Sequence, residues 1–215
     1  MVRQNISFRQ QHMYHLSHQP SGEENSLWLV FHGYGQLGNF FLKKFSALFD
    51  PKTLMVAPEG LNRFYLKGFS GRVGANWMTK HERENDMANA NSYLNALIKN
   101  LRQQLPQLEH SHVLGFSQGA ATMSRWICQA ELDLDKVVFW GGAPAHDLDP
   151  ELLQKTLANS RVIAALGEED PFLATANFQA QLKQLTSAGL SQLQIKYYPG
   201  GHELEAGLLK EIFLM

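Results

Sequence analysis

One serine of this chain stands where a catalytic nucleophile would be found. Ser117 lies in the segment GFSQG (115–119), between an apolar run and a helix-forming stretch. This setting predicts a nucleophile elbow, a sharp strand-to-helix turn that strains the serine backbone and projects its hydroxyl. The flanking glycines would let neighbouring backbone pass without a Cβ clash. A serine that only caps the following helix fits the same letters, so the prediction needs a base and an acid from elsewhere.

The base that an elbow serine needs is expected after it in the sequence. Only His146 and His202 follow Ser117. His202 comes after the last predicted strand, in YYPGGHEL, where a loop can carry the imidazole over the edge of a sheet. His146 follows an earlier strand, in GGAPAHD, and is predicted to be a surface residue. The sequence therefore favours His202 as the base.

The acid that would orient this histidine is sought in the segment GEEDPF, between the serine and the histidine. It offers Glu168, Glu169 and Asp170. Asp170 is preferred because Pro171 follows it at once, which is typical of a turn-to-helix boundary that fixes a short side chain. Ser117, His202 and Asp170 would then form a serine–histidine–aspartate triad.

The elements that must position this triad alternate between strands and helices. Short apolar runs, typical of strands buried on both faces, lie at 27–32, 53–58, 112–116, 136–141, 161–167 and 193–199. Helical patterns lie at 38–48, 84–104, 118–131, 150–157, 172–188 and 203–213. Two short segments, Asn5–Phe8 and His12–Ser17, predict an antiparallel edge pair. We expect an α/β fold in one domain (1–215), with a mostly parallel sheet and its chemistry at the carboxyl ends of the strands.

Composition limits the functional classes. The 215 residues are 44% hydrophobic and 18% charged with a net charge of −1, so no basic surface for nucleic acid is predicted. Cys128 is the single cysteine, which favours a reducing compartment. The N-terminus lacks a signal-peptide pattern, and no apolar stretch reaches the ~18 residues of a membrane span, so a cytoplasmic protein without membrane insertion is expected. Cys128, Trp126 and Trp140 are predicted to be core residues.

Two other patterns suggest different chemistry. His12, His15 and His18 are spaced by three, but no HExxH motif or cysteine cluster accompanies them, so solvated histidines are predicted and no metal site. The loop GYGQLG (33–38) matches a dinucleotide-binding motif, with Glu59 where a ribose-binding acid would sit. That alternative leaves the serine, acid and histidine unexplained, so a hydrolase is preferred. A binding protein that keeps the elbow without turnover is the third alternative.

The ordered segments FHGYGQ, APEG, the Trp77 loop, GFSQGA, GEEDPF and PGGHE resemble those of one family over roughly 27–213. It is the phospholipase/carboxylesterase family of α/β-hydrolases, which includes acyl-protein thioesterases. The resemblance implies an α/β-hydrolase fold without a large cap domain, no cofactor, and hydrolysis of carboxylic or thio esters. It also implies Ser117 as nucleophile, Asp170 as acid and His202 as base, with the backbone amides of Tyr34 and Gln118 forming the oxyanion hole.

The substrate is where the chain departs from this family pattern. Trp77-Met78-Thr79 stands where Trp-Phe-Asp is usual, and Tyr34 stands where leucine is common. The loop 61–81 has no clear period, and a loop of that length is often functional. Its apolar side chains, together with one from the preceding helix, predict a wall for a short-to-medium acyl group of a small ester: Phe40, Phe64, Tyr65, Phe69, Trp77 and Met78. For the loop 61–81, the sequence also allows a packed surface loop without a role in binding, or a lid that moves. For the whole chain, it also allows a lipase or peptidase variant of the fold, and a homodimer.

Overall fold

The computed structural model describes residue 2 and residues 4–215. In these residues seven strands form one sheet and two more form a separate hairpin. The strands are β1 (Tyr14–Leu16), β2 (Ser26–Phe31), β3 (Thr53–Pro58), β4 (Asn62–Tyr65), β5 (Val73–Asn76), β6 (His110–Phe116), β7 (Lys136–Trp140), β8 (Arg161–Gly167) and β9 (Leu193–Tyr198). The order in the large sheet is β1-β3-β2-β6-β7-β8-β9, and β4 pairs with β5. Every neighbouring pair in the large sheet is parallel except β1 with β3.

The described residues also form six helices, five between strands and one after the last strand. They are α1 (Gly38–Lys43), α2 (Arg83–Gln104), α3 (Gln118–Ile127), α4 (Pro150–Leu157), α5 (Ala176–Thr186) and α6 (Ala206–Leu214), and a 3₁₀ turn at Ser46–Leu48 follows α1. Among the described residues, none of these helices is long and apolar enough to cross a bilayer.

The strands are apolar throughout because the sheet is covered on both faces. In β2, Leu27 and Leu29 pack in the cluster that contains buried residues of α2, α3 and α4, whereas Trp28 and Val30 pack in the cluster of α1 and α6. Alternate residues of a strand point to opposite faces, so one continuous apolar run serves two cores. The predicted fold class, a mostly parallel sheet with helices on both faces, is confirmed. Trp126 and Trp140 lie in these cores as predicted, and Cys128 is half-buried at the end of α3.

The N-terminal prediction is wrong in part. Asn5–Phe8 forms no strand, and its apolar side chains, Ile6 and Phe8, are exposed and do not pack on the sheet. Within His12–Ser17 only β1 forms, and it pairs with β3 (Tyr14 opposite Pro58), not with the preceding segment.

The helices differ from prediction at their ends. Residues 170–175 form turns, and α5 begins only after Thr175, whose hydroxyl accepts the Phe178 N–H. Helix α3 ends at Ile127 and is followed by a turn, so the predicted extension to 131 is not helical. The loop 61–81 contains the β4–β5 hairpin, which sequence reasoning missed.

Candidate active site

Ser117 occupies the turn between β6 and α3 with φ 53° and ψ −119°, in the region of backbone space that disfavours side chains. Its N–H donates to Trp140 O at 2.9 Å, which fixes the turn to β7. A Cβ on Gly115 would lie 2.5 Å from Ala120 Cα, and one on Gly119 would overlap Phe31 O, so both flanking positions require glycine. The serine side chain caps no N–H of α3, which excludes the simple helix-cap interpretation.

The imidazole of His202 lies between Ser117 and Asp170. Its Nε2 is 2.8 Å from Ser117 Oγ, and its Nδ1 is 2.6 Å from Asp170 Oδ2. Because a carboxylate can only accept, Nδ1 carries the proton and Nε2 is left to accept the serine hydroxyl proton. Asp170 is 4% exposed, and its second oxygen, Oδ1, accepts the Phe172 N–H at 2.9 Å. Each carboxylate oxygen therefore has one defined partner.

The other candidates for acid and base lie apart from this chain of hydrogen bonds. Glu168 and Glu169 are exposed, although they directly precede Asp170. His146 is exposed, in agreement with its prediction as a surface residue. The three residues that are brought together follow β6, β8 and β9, at the carboxyl ends of three parallel strands.

The imidazole of His202 is surrounded by close backbone segments and by two aromatic rings. Gly141 has φ 52°, and a Cβ there would lie 3.2 Å from His202 Nδ1. A Cβ on Gly167 would overlap Gly201 O, so the loop that carries the histidine passes directly over the end of β8. The rings of Phe116 and Phe172 contact the imidazole, with centroids 4.9 and 4.7 Å away. These contacts restrict the orientation of the ring.

Two backbone N–H groups beside the serine have no acceptor in the described part of the chain, those of Tyr34 and Gln118. Gln118 is the first residue of α3, where an N–H has no intrahelical partner. Tyr34 lies in the loop 32–38, and a Cβ on Gly33 would be 3.3 Å from Ser117 Cβ. Both segments thus border the serine, as an oxyanion hole requires.

The side chain of Gln118 and the imidazole of His32 link the elbow to its surroundings. Gln118 Oε1 accepts the Trp77 N–H at 3.1 Å, and its Nε2 donates to Met78 O at 2.9 Å. His32 Nε2 accepts the Gly60 N–H at 2.9 Å, so Nδ1 carries the proton and donates to Gly33 O at 2.8 Å. Burial lowers the pKa of His32 to about 4, which keeps this acceptor neutral.

Trp77 does not form part of an exposed substrate wall. It is 1% exposed, its ring stacks on His32 at 4.9 Å, and its indole N–H donates to His32 O at 2.8 Å. A side chain that is this buried packs against the start of the loop 32–38, at His32. The predicted role of Trp77 in the acyl wall is therefore corrected to a supporting one.

The other predicted wall residues are spread over several elements. Phe64 is half-buried on β4, with its ring 5.2 Å from that of Tyr34, which is itself 59% exposed. Met78 is half-buried, and Tyr65 on β4 and Phe40 on α1 are exposed. Phe69, at the tip of the hairpin, is 97% exposed. Trp77 and Met78 line one small cavity beside α2 and α3, which the other four residues do not line. A cavity of about 740 Å³ lies elsewhere, between residues 4–10 and α2.

The β4–β5 hairpin holds the loop 32–38 through its backbone. Gly35 N–H donates to Ala75 O at 2.8 Å, and Ala75 N–H donates to Gln36 O at 3.0 Å. A Cβ on Gly74 would overlap Gly35 O, so the two backbones are in direct contact. A signal for this hairpin exists in the alternation from Asn62 to Tyr65 and in the glycines at its turn, but the alternation covers only four residues.

Glu59 and the N-terminal histidines, which suggested other chemistry in the sequence, make contacts within the fold. Glu59, the residue predicted to bind a ribose, is 2% exposed and accepts the Gly38 N–H at 3.2 Å. Two of the three histidines are hydrogen-bonded and only partly exposed: His12 Nε2 lies 2.9 Å from Glu59 O, and His18 Nε2 lies 3.2 Å from Glu24 Oε1. Within residues 2 and 4–215, no three His, Cys, Asp or Glu side chains are grouped to hold a metal ion.

Comparisons with known proteins agree with this architecture. The sequence model of the phospholipase/carboxylesterase family matches residues 15–213. Acyl-protein thioesterase 2 from Zea mays superposes with a TM-score of 0.69 at 19% identity, covering 95% of this chain and 97% of that one. A carboxylesterase from Mesorhizobium loti gives 0.69 at 17% identity, with coverage of 94% and 93%. Esterase PE8 gives 0.67 at 22% identity, with coverage of 94% and 99%.

No curated protein sequence matches the chain significantly. At identities this low, the solved structures establish the α/β-hydrolase fold, while the family model covers nearly all of the sequence and establishes the kind of enzyme. The chain belongs to the phospholipase/carboxylesterase family and is a carboxylic ester hydrolase.

Proposed function

We propose that the chain is a serine esterase that cleaves carboxylic or thio esters of short-to-medium acyl groups through an acyl-enzyme. The observation that carries the proposal is the continuous hydrogen-bond chain from Ser117 through His202 to Asp170, built on a strained turn at the edge of the sheet. A serine hydroxyl becomes an effective nucleophile when a base accepts its proton and an acid orients that base.

In the first half of the reaction, Ser117 Oγ attacks the ester carbonyl carbon and its proton passes to His202 Nε2. The carbonyl oxygen becomes an oxyanion, which accepts hydrogen bonds from the N–H groups of Tyr34 and Gln118. The tetrahedral intermediate then collapses. The bond between the acyl carbon and the ester oxygen, or the thioester sulfur, breaks, and the leaving alcohol or thiol takes the proton from Nε2. The acyl group stays on the serine.

In the second half, water replaces the alcohol or thiol. Its proton passes to His202 Nε2 while its oxygen attacks the acyl carbon, and the second tetrahedral intermediate expels Ser117 Oγ, which regains a proton from Nε2. Throughout, Asp170 holds the proton on Nδ1 and stabilises the imidazolium that forms in each step. The buried carboxylate and the close backbone of Gly141 and Gly167 hold the imidazole ready for both halves.

A fluorophosphonate probe tests this proposal directly. The probe phosphonylates a serine whose hydroxyl is activated by a base, so we expect the label on Ser117 alone, located by mass spectrometry of a tryptic digest. The Ser117→Ala variant is the control and should remain unlabelled. A chain that is not labelled and binds NAD tightly would instead support the dinucleotide interpretation. A chain that is labelled but turns over no ester would be a binding protein that has kept the elbow.

The acyl-chain preference can be measured with the p-nitrophenyl esters of acetate, butyrate, octanoate and palmitate. Each buried methylene contributes ~0.8 kcal/mol, close to a fourfold gain in kcat/KM if it is expressed in the transition state. We expect kcat/KM to rise from acetate to a short or medium chain and then to fall, because the Tyr34–Phe64 pair offers a limited apolar surface. A steady rise to palmitate would contradict this, and a preference for peptides over every ester would contradict the esterase assignment.

A pair of phenylalanine variants locates the acyl group. Phe64→Ala removes the ring that contacts Tyr34 beside the nucleophile, and we expect it to reduce the gain from acetate to the best ester. Phe69→Ala is the matched control, since Phe69 lies at the exposed hairpin tip, and we expect it to leave the series unchanged. An equal effect of both variants would place the acyl group along the whole hairpin.

A further inference from the structure

The dipeptide Glu59-Gly60, directly after β3, holds both ends of the loop that carries Tyr34. At the start of the loop, the Gly60 N–H donates to His32 Nε2 at 2.9 Å. At its end, the Gly38 N–H donates to Glu59 Oε2 at 3.2 Å. Tyr34 lies between these two points, so the position of its N–H depends on both.

The carboxylate of Glu59 is buried and nevertheless has charged and polar partners. Its Oε1 accepts Arg63 Nε at 2.9 Å, and its Oε2 lies 3.5 Å from His15 Nε2 as well as accepting the Gly38 N–H. Burial alone would raise the pKa of Glu59, but the hydrogen bonds from Arg63 and Gly38 outweigh burial and lower it. A buried carboxylate is costly unless it is paired, and here both oxygens are occupied.

These contacts point to a role in the reaction. We propose that Glu59 is a positioning residue for ester hydrolysis, whose carboxylate fixes the end of the loop 32–38 so that the Tyr34 N–H faces the oxyanion. The inference rests on the proposed function, since it needs an oxyanion for that N–H to bind. Oxyanion donors act only if they are held in place before the charge develops.

The two-oxygen geometry makes glutamine an informative replacement. Arg63 donates to one carboxylate oxygen and Gly38 donates to the other. In Glu59→Gln one oxygen becomes an NH₂ group, which cannot accept a hydrogen bond, so one of the two donors faces another donor. The arginine side chain is partly exposed and can turn toward solvent, because a glutamine at position 59 no longer forms an ion pair with it. One orientation of the amide breaks the Gly38 contact, and the other breaks the Arg63 contact that holds the side chain of residue 59 in place, while the size of the side chain is kept.

Glu24→Gln provides a matched control. Glu24 is also fully buried and accepts the N–H groups of Ser21 and Gly22, but it contacts His18 in the turn before β2 and no residue of the loop 32–38. Its replacement should lower the thermal stability of the protein as the Glu59 replacement does. A general loss of a buried carboxylate is thereby separated from a change at the oxyanion loop.

The test compares both variants with wild type by kcat and KM on p-nitrophenyl butyrate, the inhibition constant of a trifluoromethyl ketone, and Tm. The ketone forms a tetrahedral adduct whose oxyanion needs the Tyr34 N–H. For Glu59→Gln we expect kcat to fall about 10- to 100-fold, KM to stay within about threefold, and ketone binding to weaken by a factor similar to that for kcat. For Glu24→Gln we expect kcat and ketone binding within about twofold of wild type.

Unchanged kcat in Glu59→Gln, or an equal loss in Glu24→Gln, would overturn the inference. If Glu59→Gln does not fold, Arg63→Gln is the second variant, because it removes one partner of the Glu59 carboxylate. We expect Arg63→Gln to lower kcat about 3- to 10-fold without raising KM. An effect of Arg63→Gln on KM alone would also count against it. Fluorophosphonate labelling of wild type distinguishes a failure of this inference from a failure of the proposed function, since absence of label refutes the proposed function itself.

Discussion

Replacing Asp170 with asparagine is expected to lower kcat by about 10⁴-fold. Asp170 Oδ1 accepts the Phe172 N–H, so the single oxygen of an asparagine would remain there and its NH₂ group would face His202 Nδ1. That group donates, so Nδ1 would lose its proton and Nε2 would carry it. A protonated Nε2 cannot accept the proton of Ser117, and the serine would no longer be activated.

The two neighbouring glutamates are the controls for this variant. Glu168 and Glu169 are exposed, and we expect Glu168→Ala and Glu169→Ala to keep kcat within about twofold of wild type. Steady-state kinetics on p-nitrophenyl butyrate measure all three. If one of the glutamate variants loses activity and the asparagine variant keeps it, the acid has been assigned to the wrong residue.

Lowering the pH from 6.5 to 4 is expected to remove about 3 kcal/mol of unfolding free energy for each of two buried histidines. Burial lowers the pKa of His32 to about 4, and burial, followed by the nearby Lys136 charge, lowers the pKa of His112 to about 4. Between pH 4 and 6.5 the unfolded chain binds a proton at each histidine that the folded chain does not. Folding stability therefore falls as the pH falls through this window.

Guanidinium chloride unfolding at pH 7.5, 6.5, 5.5 and 4.5 measures this loss of stability. The His112→Phe variant separates the contribution of His112 from that of His32. His112 packs against Trp28 with ring centroids 4.7 Å apart, and its buried Nδ1 has no hydrogen-bond partner in the described part of the chain. Phenylalanine keeps the packing and removes the unsatisfied nitrogen, so we expect no loss of stability at pH 7.5 and about half the loss toward pH 4.5. An unchanged pH dependence would show that His112 does not contribute to the loss.

Carboxylates add to acid unfolding only at lower pH. Burial alone would raise the pKa of Glu24, but hydrogen bonds from Ser21 and His18 bring it to about 2. Burial would likewise raise the pKa of Asp147, which Arg125 and Arg83 lower to about 2. Their stabilising contribution is present above about pH 4.5 and is lost as the pH falls toward 2, so it overlaps the histidine window only at the acid end of that window.

The sequence predicts the central strands well because burial on both faces leaves an uninterrupted apolar run. In β2 and β8 the predicted and observed limits agree within one residue. The same rule fails for β4, whose Arg63 and Tyr65 point outward while Phe64 packs on Tyr34. A four-residue strand that is stabilised mainly by backbone contacts to another loop leaves little hydrophobic pattern to read.

The site residues differ in how much of their environment is local. The Ser117 turn and the Asp170-Pro171 boundary are encoded by neighbours in sequence, so the sequence alone predicts both segments. The burial of Trp77 under His32 depends on residues 45 positions apart, and no local pattern distinguishes it from an exposed loop tryptophan. The choice of Asp170 over the adjacent glutamates likewise depends on the turn that buries one carboxylate and leaves the other two in solvent.

Local opening of the edge strand β9 would abolish activity while the rest of the enzyme stays folded. In the described sheet β9 pairs with β8 alone, and the His202 loop that follows it is held to the end of β8 by Glu168 N–H to Tyr198 O and Glu169 N–H to Gly200 O. Strands at a sheet edge open locally at a lower free-energy cost than the central strands. An opening of β9 would withdraw His202, the proposed base, while Ser117 and the N–H groups of Tyr34 and Gln118 stay in place on the turn after β6, on α3 and on the loop 32–38. Partial denaturation would then yield a population that is largely folded yet unable to hydrolyse an ester.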